Sequence, residues 1–173
     1  MHWKRIILTT LLMTVAALIL FGFLHIEQLP PKNSTPVATT DADDINGLHP
    51  AVEKNMHKLV DKSAAIGIPI IITDDYRSKK EQDKLYAQGR TTEGQIVTNV
   101  QGGESMHNYG LAIDFALEPD PGNVIWDMEY DGNKNGESDW LEVVEIAKDL
   151  GFQWGGDWTE FKDYPHLEMH IDW

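Results

Sequence analysis

Nineteen residues from Ile6 to Leu24 carry no charge, and this run decides how much of the chain is left to fold. Ile, Leu, Val, Ala, Phe and Met dominate it, and Lys4-Arg5 stand before it. Its length approaches the roughly 20 residues that cross a bilayer. The basic head predicts that everything after Leu24 lies outside the cytoplasm. Gly22-Phe23-Leu24-His25-Ile26-Glu27 offers no A-x-A cleavage pattern, which favours an uncleaved single-pass anchor over a cleaved signal. Residues 1–27 are therefore expected to form an anchor or signal. Residues 28–47, with Pro30-Pro31 followed by Ser, Thr, Asn and Pro, read as a linker whose role is reach. Residues 48–173 remain, enough for one domain with its own core.

The net charge of −14 argues against nucleic acid, whose binding rests on Lys and Arg contacts to phosphate. It also argues against a polybasic footing on a membrane. The chain has no cysteine, so disulfides, thiolate catalysis and Cys-ligated zinc are excluded. Any metal must sit on His, Asp or Glu.

Within the domain, Pro50 suits a first helical turn, and Val52, Met56, Leu59 and Val60 recur at helical spacing. A helix over 50–65, ended near Gly67, follows. Ile68 to Thr73 is β-branched and short, a buried strand. Ser78 to Gln88 reads as a helix with Ser78 as N-cap and Glu81 completing a capping box. Residues 94–103 are polar and contain Gly, a loop or a weak hairpin. Leu111 to Ala116 is a strand, Trp140 to Leu150 a helix closed by Gly151, and His166 to Ile171 a last strand. Helices and strands mix without regular alternation, so the fold class is α+β.

Two short segments carry the chemistry. Ser105-Met106-His107-Asn108-Tyr109-Gly110-Leu111-Ala112-Ile113-Asp114 and Asp163-Tyr164-Pro165-His166 together supply two imidazoles and two carboxylates. A catalytic zinc site needs three protein ligands, one open position and a carboxylate base. His107 in a turn and Asp114 in the following strand can face the same side, with Gly110 letting the chain bend between them. His166 would open another strand, and Asp163 would be the general base. Glu168 and His170 are rival ligands, because they alternate onto the face of His166. Arg77, between a strand and a helix, would either bind a carboxylate or oxyanion, or pair with Asp74 or Asp75. Ser105 is a hydrogen-bonding support for the His107 turn or the substrate.

A second cation site is suggested by residues 131–142. Asp131, Asn133, Asn135, Asp139 and Glu142 fall at the oxygen-donor positions of a twelve-residue calcium loop, with Gly136 at the sharp turn. Glu137 adds a further carboxylate. Ser138 stands where an apolar residue is usual, and Val124-Ile125-Trp126 before it looks extended rather than helical. The rival reading is a polar turn with no ion. Of the six tryptophans, Trp158 in Trp154-Gly155-Gly156-Asp157-Trp158 is the best candidate to line a groove beside Asp163.

Ser-x-His-x-x-Gly-x-Ala-x-Asp followed by a late acid-x-x-His resembles the zinc peptidases of bacterial cell walls that include D-Ala-D-Ala carboxypeptidases (the VanY-like family). The likeness is closest to their L-alanyl-D-glutamate endopeptidases of the CwlK type. Tyr76-Arg77-Ser78, Glu81-Gln82, Leu85-Tyr86, Gly89-Arg90 and Gly155-Gly156-Asp157-Trp158 also look like that family. The resemblance implies a small antiparallel sheet with flanking helices, of the hedgehog or D-Ala-D-Ala peptidase type. It implies zinc on His107, Asp114 and His166, catalysis by Asp163 with Arg77 on the oxyanion, and substrate contacts from Ser105, Gln82 and Trp158. Many relatives carry Glu where this chain has Asp163, so the carboxylate here reaches one methylene less far. The expected enzyme is a monomer outside the membrane that cuts the L-Ala–D-Glu bond of peptidoglycan. A D-alanyl-D-alanine carboxypeptidase and a non-catalytic wall-binding module are the alternatives.

Overall fold

A computed structural model describes residues 45–171. The expected anchor, the linker up to residue 44 and Trp173 lie outside the described residues. No described helix is long and apolar enough to cross a membrane.

Helix α1 spans Pro50–Ala65, with Pro in its first turn. Val52 and Leu59, two helical turns apart, are both fully buried. Strand β1 is Ile70–Asp74, and helix α2 is Lys79–Ala87. The capping box forms as expected: Glu81 N–H donates to Ser78 Oγ at 3.3 Å and Ser78 N–H donates to Glu81 Oε2 at 3.0 Å. Residues 94–103 are a loop with no strand. A 3-10 turn, Met106–Tyr109, leads into β2, Ala112–Asp120. Then come β3 (Asn123–Ile125), α3 (Asp139–Asp149), β4 (Gln153–Trp154), a second 3-10 turn (Gly155–Asp157) and β5 (His166–Glu168).

The sheet is antiparallel in the order β1-β2-β5-β4, with β3 also paired to the far end of β2. β2 runs to Asp120, past the expected end at Ala116, because β1 and β3 continue to supply partners. β5 stops at Glu168, short of the expected Ile171, because Glu168 is already opposite Ala112, the first residue of β2. The two-residue β4 and the three-residue β3 are too short to carry a period in sequence.

The core lies on one face of the sheet. Ile113, Phe115 and Leu117 of β2 and Leu167 of β5 point into it and meet α1 and α3. Phe115 packs on Trp140 of α3 with ring centroids 4.6 Å apart, and burying such a ring contributes about 2–3 kcal/mol. The β2–β5 register pairs Ile113 with Leu167 on this face, and Asp114 with His166 and Ala112 with Glu168 on the other. Sheet geometry alone therefore sets an acid, an imidazole and a second acid side by side. On the opposite flank of β2 a bulge between Ile72 and Asp74 brings Asp74 opposite Asp114.

Candidate metal centre and groove

His107 sits in the 3-10 turn just before β2. Ser105 caps that turn, accepting from His107 N–H at 3.3 Å, and Gly110 ends it in the left-handed region at φ 65. A side chain at Gly110 would meet the carbonyl oxygen of Gly47 at 2.3 Å, so glycine is required by close approach as well as by φ. The buried Asn108 braces the same turn. Its Nδ2 donates to Arg77 O at 2.8 Å and its Oδ1 accepts from Gly103 N–H at 2.7 Å. Asn108 was not expected as a functional residue; a buried polar side chain beside His107 is the signal that marks it.

Three donor atoms converge. His107 Nε2 lies 3.2 Å from His166 Nδ1, His166 Nδ1 lies 3.2 Å from Asp114 Oδ1, and His107 Nε2 lies 3.3 Å from Asp114 Oδ1. This near-equilateral triangle matches one face of a tetrahedron whose centre is about 2.0 Å from each corner, the zinc–nitrogen and zinc–oxygen bond length. The outer ring nitrogens fix which atoms face inward. His107 Nδ1 is 2.6 Å from the Asp75 carbonyl, which can only accept, so Nδ1 carries the proton and Nε2 faces the triangle with its lone pair. His166 Nε2 donates to Glu168 Oε2 at 3.1 Å, which leaves Nδ1 as the inward atom. Glu168 also accepts from His170 Nε2 at 2.8 Å. The rivals Glu168 and His170 are thus one layer further out, and among the described residues the group able to hold a metal ion is His107, Asp114 and His166.

Electrostatics point the same way. Burial alone would raise the Asp114 carboxyl, but hydrogen bonds with His107 and His166 hold it well below the usual carboxylate range. Burial opposes charge on His166 too, yet its bonds to Asp114 and Glu168 push it up to about 9. Burial would likewise raise Glu168, and its contacts with His166 and His170 lower it. The acids around His166 thus favour positive charge at this point. The donor set fits a divalent cation.

The centre opens into a groove of about 730 Å³. Asp163 lies on its wall, half-buried, with its carboxyl raised by burial and then by the charge of Asp114. Trp158, as expected, lines the groove, packing on His166 and Phe161 at 5.2 and 5.0 Å. Ser105 lines it as well. Arg77 pairs through Nη2 with Asp74 and donates through Nη1 to Gln82 Oε1 at 2.7 Å. It nevertheless lines the groove, and its charge is felt at Asp163.

Gln82, expected to contact substrate, is fully buried. Its Nε2 donates to Thr98 Oγ1 at 3.1 Å and Val100 O at 2.9 Å. The side chain is spent on holding Arg77 and the 98–100 loop in place, which corrects the expected role.

In the 131–142 loop, Asp131 accepts from Asn135 N–H and Gly136 N–H at 3.1 and 3.0 Å. The amides of Asn133 and Asn135 donate to the two oxygens of Glu142 at 3.0 and 2.9 Å. Asn133 and Asn135 thus meet Glu142 through their amide nitrogens, while Asp131 is taken up by backbone N–H groups. Asp139 instead accepts from Gly132 N–H at 3.1 Å, and Glu137 is exposed.

Residues 98–169 match the family model described as D-alanyl-D-alanine carboxypeptidase. The chain is 67% identical over 122 residues to the peptidoglycan L-alanyl-D-glutamate endopeptidase CwlK of Bacillus subtilis strain 168, covering 70% of this chain and 73% of that one. The chain belongs to this family of wall peptidases. An L-alanyl-D-glutamate peptidase of Listeria phage A118 is 32% identical over 127 residues, 73% of this chain and 40% of the phage protein. Among solved structures, an L,D-carboxypeptidase, DacB of Streptococcus pneumoniae, shares the fold at 23% identity and a TM-score of 0.53, over 75% of this chain and 70% of that one.

Proposed function

We propose that the domain is a zinc-dependent peptidoglycan hydrolase that cuts the L-Ala–D-Glu bond of the stem peptide. The observation that carries this is the inward-facing triangle of His107, Asp114 and His166 beside Asp163, in a chain two-thirds identical to an endopeptidase of that specificity. Zinc on those three residues supplies Lewis acidity toward water and the scissile carbonyl. Asp163, its carboxyl raised by burial, takes a proton from the attacking water and delivers it to the departing D-Glu amine. Arg77 opposes the negative charge that develops on the carbonyl oxygen, held in place by Asp74 and Gln82. Ser105 and Trp158 line the path of the peptide. A purely wall-binding module would have no use for a base poised at the centre.

Incubation of the soluble domain with defined muropeptides tests the reading. New N-terminal D-Glu supports it. Free D-Ala with no D-Glu terminus assigns the D,D-carboxypeptidase activity instead, and no product from zinc-loaded protein refutes both.

The domain acts as a monomer on the wall side of the membrane, with residues 1–27 as anchor or export segment and 28–47 as linker. The loop spacing, with Asn133 and Asn135 both against Glu142, supports calcium in the 131–142 loop, and Asn ligands would set a modest affinity suited to extracellular calcium. Millimolar calcium should raise the melting temperature of the wild type and not of Glu142→Gln. Equal shifts in both would dismiss the site.

A further inference from the structure

We propose that Lys162 anchors the free α-carboxylate of the D-Glu residue and so sets the preference for acidic stem peptides. This deepens the endopeptidase reading and rests on it. The groove is lined by five acids, Asp74, Glu104, Asp114, Asp163 and Glu168, and by only two cations, Arg77 and Lys162. Arg77 is committed. Its two terminal nitrogens bond Asp74 and Gln82, and its side chain is only 14% exposed. Lys162 is exposed, and its ammonium donates to the carbonyl of Gly156 at 2.8 Å, a neutral acceptor. That leaves two of its three N–H donors for a ligand. Among the described residues, the salt bridges give it no carboxylate partner.

The tether also sets the place. Gly156 follows Gly155, where a Cβ would lie 2.5 Å from Asp163 O and 3.2 Å from His166 Cβ. Lys162 is thus tethered by its ammonium to the residue after Gly155, and it lines the same groove as Asp163. In an L-Ala–D-Glu bond, the leaving nitrogen and the α-carboxylate stand on the same carbon. Once Asp163 is placed to protonate that nitrogen, the carboxylate is forced close to Asp163. Zinc on the triangle would offset Asp114, but the carboxylate would still face the Asp163 side chain, and a cation meeting it there removes that repulsion. Lys162 is the groove cation with no carboxylate partner among the described residues, and Trp158 and Phe161 give the same groove apolar surface that a bound peptide would seal.

The test uses a pair of stem peptides that differ only at this group, D-Glu with a free α-carboxylate and D-isoglutamine with an α-carboxamide. Wild-type protein and Lys162→Met and Lys162→Arg variants, each checked for equal zinc content, are assayed on both. The wild type should lose about ten- to hundredfold in kcat/KM on the amide, the range of a hydrogen bond to a charged group. Lys162→Met should fall by a similar factor on the acid and no longer tell the two apart, while Lys162→Arg keeps the preference. If Lys162→Met still discriminates as the wild type does, or the wild type does not discriminate, the assignment of Lys162 is wrong while the endopeptidase reading stands. If the wild type cuts neither peptide, the endopeptidase reading falls and takes this one with it.

Discussion

Replacing Glu168 by Ala removes the acceptor that holds His166 in its metal-ready state. With zinc bound, His166 Nδ1 must offer its lone pair, so Nε2 must carry the proton and has no alternative form. His166 is 5% exposed, so water cannot readily replace the lost carboxylate. A buried donor left without a partner costs about 1–3 kcal/mol, which at about 1.4 kcal/mol per tenfold is a loss of roughly 5- to 150-fold in zinc affinity. The metal-free protein escapes much of this cost, because the ring can then shift its protons. Glu168→Gln keeps one acceptor for Nε2–H and loses the charge, so about tenfold is expected. His170→Ala is the control. His170 is 59% exposed and merely shares Glu168, so its removal should change affinity by no more than about twofold. Competition against a chromophoric zinc chelator reads the affinities, and nitrogen-15 spectra of His166 read the tautomer. Wild-type affinity in Glu168→Ala, or a loaded His166 protonated on Nδ1, would refute the reasoning.

Three further outcomes follow from the same geometry. Asp163→Asn should retain zinc and lose about 10²- to 10⁴-fold in turnover; in the wild type, activity needs the ionised base, so kcat/KM should rise with pH through a limb that burial moves up from the ordinary aspartate value. That limb should be missing from the variant, and wild-type turnover in Asp163→Asn would move the base elsewhere. Gln82→Ala removes the bonds from its side chain to Arg77 Nη1, Thr98 Oγ1 and Val100 O; a loss of about 1–3 kcal/mol in denaturant unfolding is expected, and a loss below about 0.5 kcal/mol would mean that the loop is held by other bonds. Gly110→Ala puts a Cβ against Gly47 O at a φ of 65, costing about 1–2 kcal/mol for the left-handed backbone alone; an unchanged melting temperature would show that residues 47–49 do not pack there.

The helices were legible because their signals are local. Val52, Met56 and Leu59 mark one face of α1, and Ser78 with Glu81 marks the start of α2 within four residues. The candidate metal group was legible because His107 with Asp114, and Asp163 with His166, fall in two short segments that match the pattern of the wall peptidases. What sequence could not give was partnership across the sheet. Gln82 looked like a groove residue because its neighbours resemble those of wall peptidases; only the fold turns it inward to Arg77 and the 98–100 loop. Lys162 drew no notice, since one lysine beside an acid is ordinary until the groove is seen to hold just one other cation. β3 and β4 depend on β2 and β5 for their existence and leave no period of their own.

The same dependence explains why the centre is specific despite its small size. Ile113 and Leu167 face each other on the core side, both fully buried. Sliding β5 by one residue would drive Leu167 into the acid-lined groove and bury His166 and Glu168 in the core, where unpaired charge is costly. Hydrophobic burial thus sets the register, and the register sets Asp114 opposite His166. Ala112, opposite Glu168, adds only a methyl group on that face, so Glu168 has room to lean along the strand onto His166 Nε2. A bulky residue at 112 is expected to push Glu168 off His166 without touching any ligand. Ala112→Leu should therefore resemble Glu168→Ala in zinc affinity while leaving the core pairing of Ile113 and Leu167 in place. Wild-type affinity in a folded Ala112→Leu protein would show that the small residue is not what lets Glu168 reach the ligand.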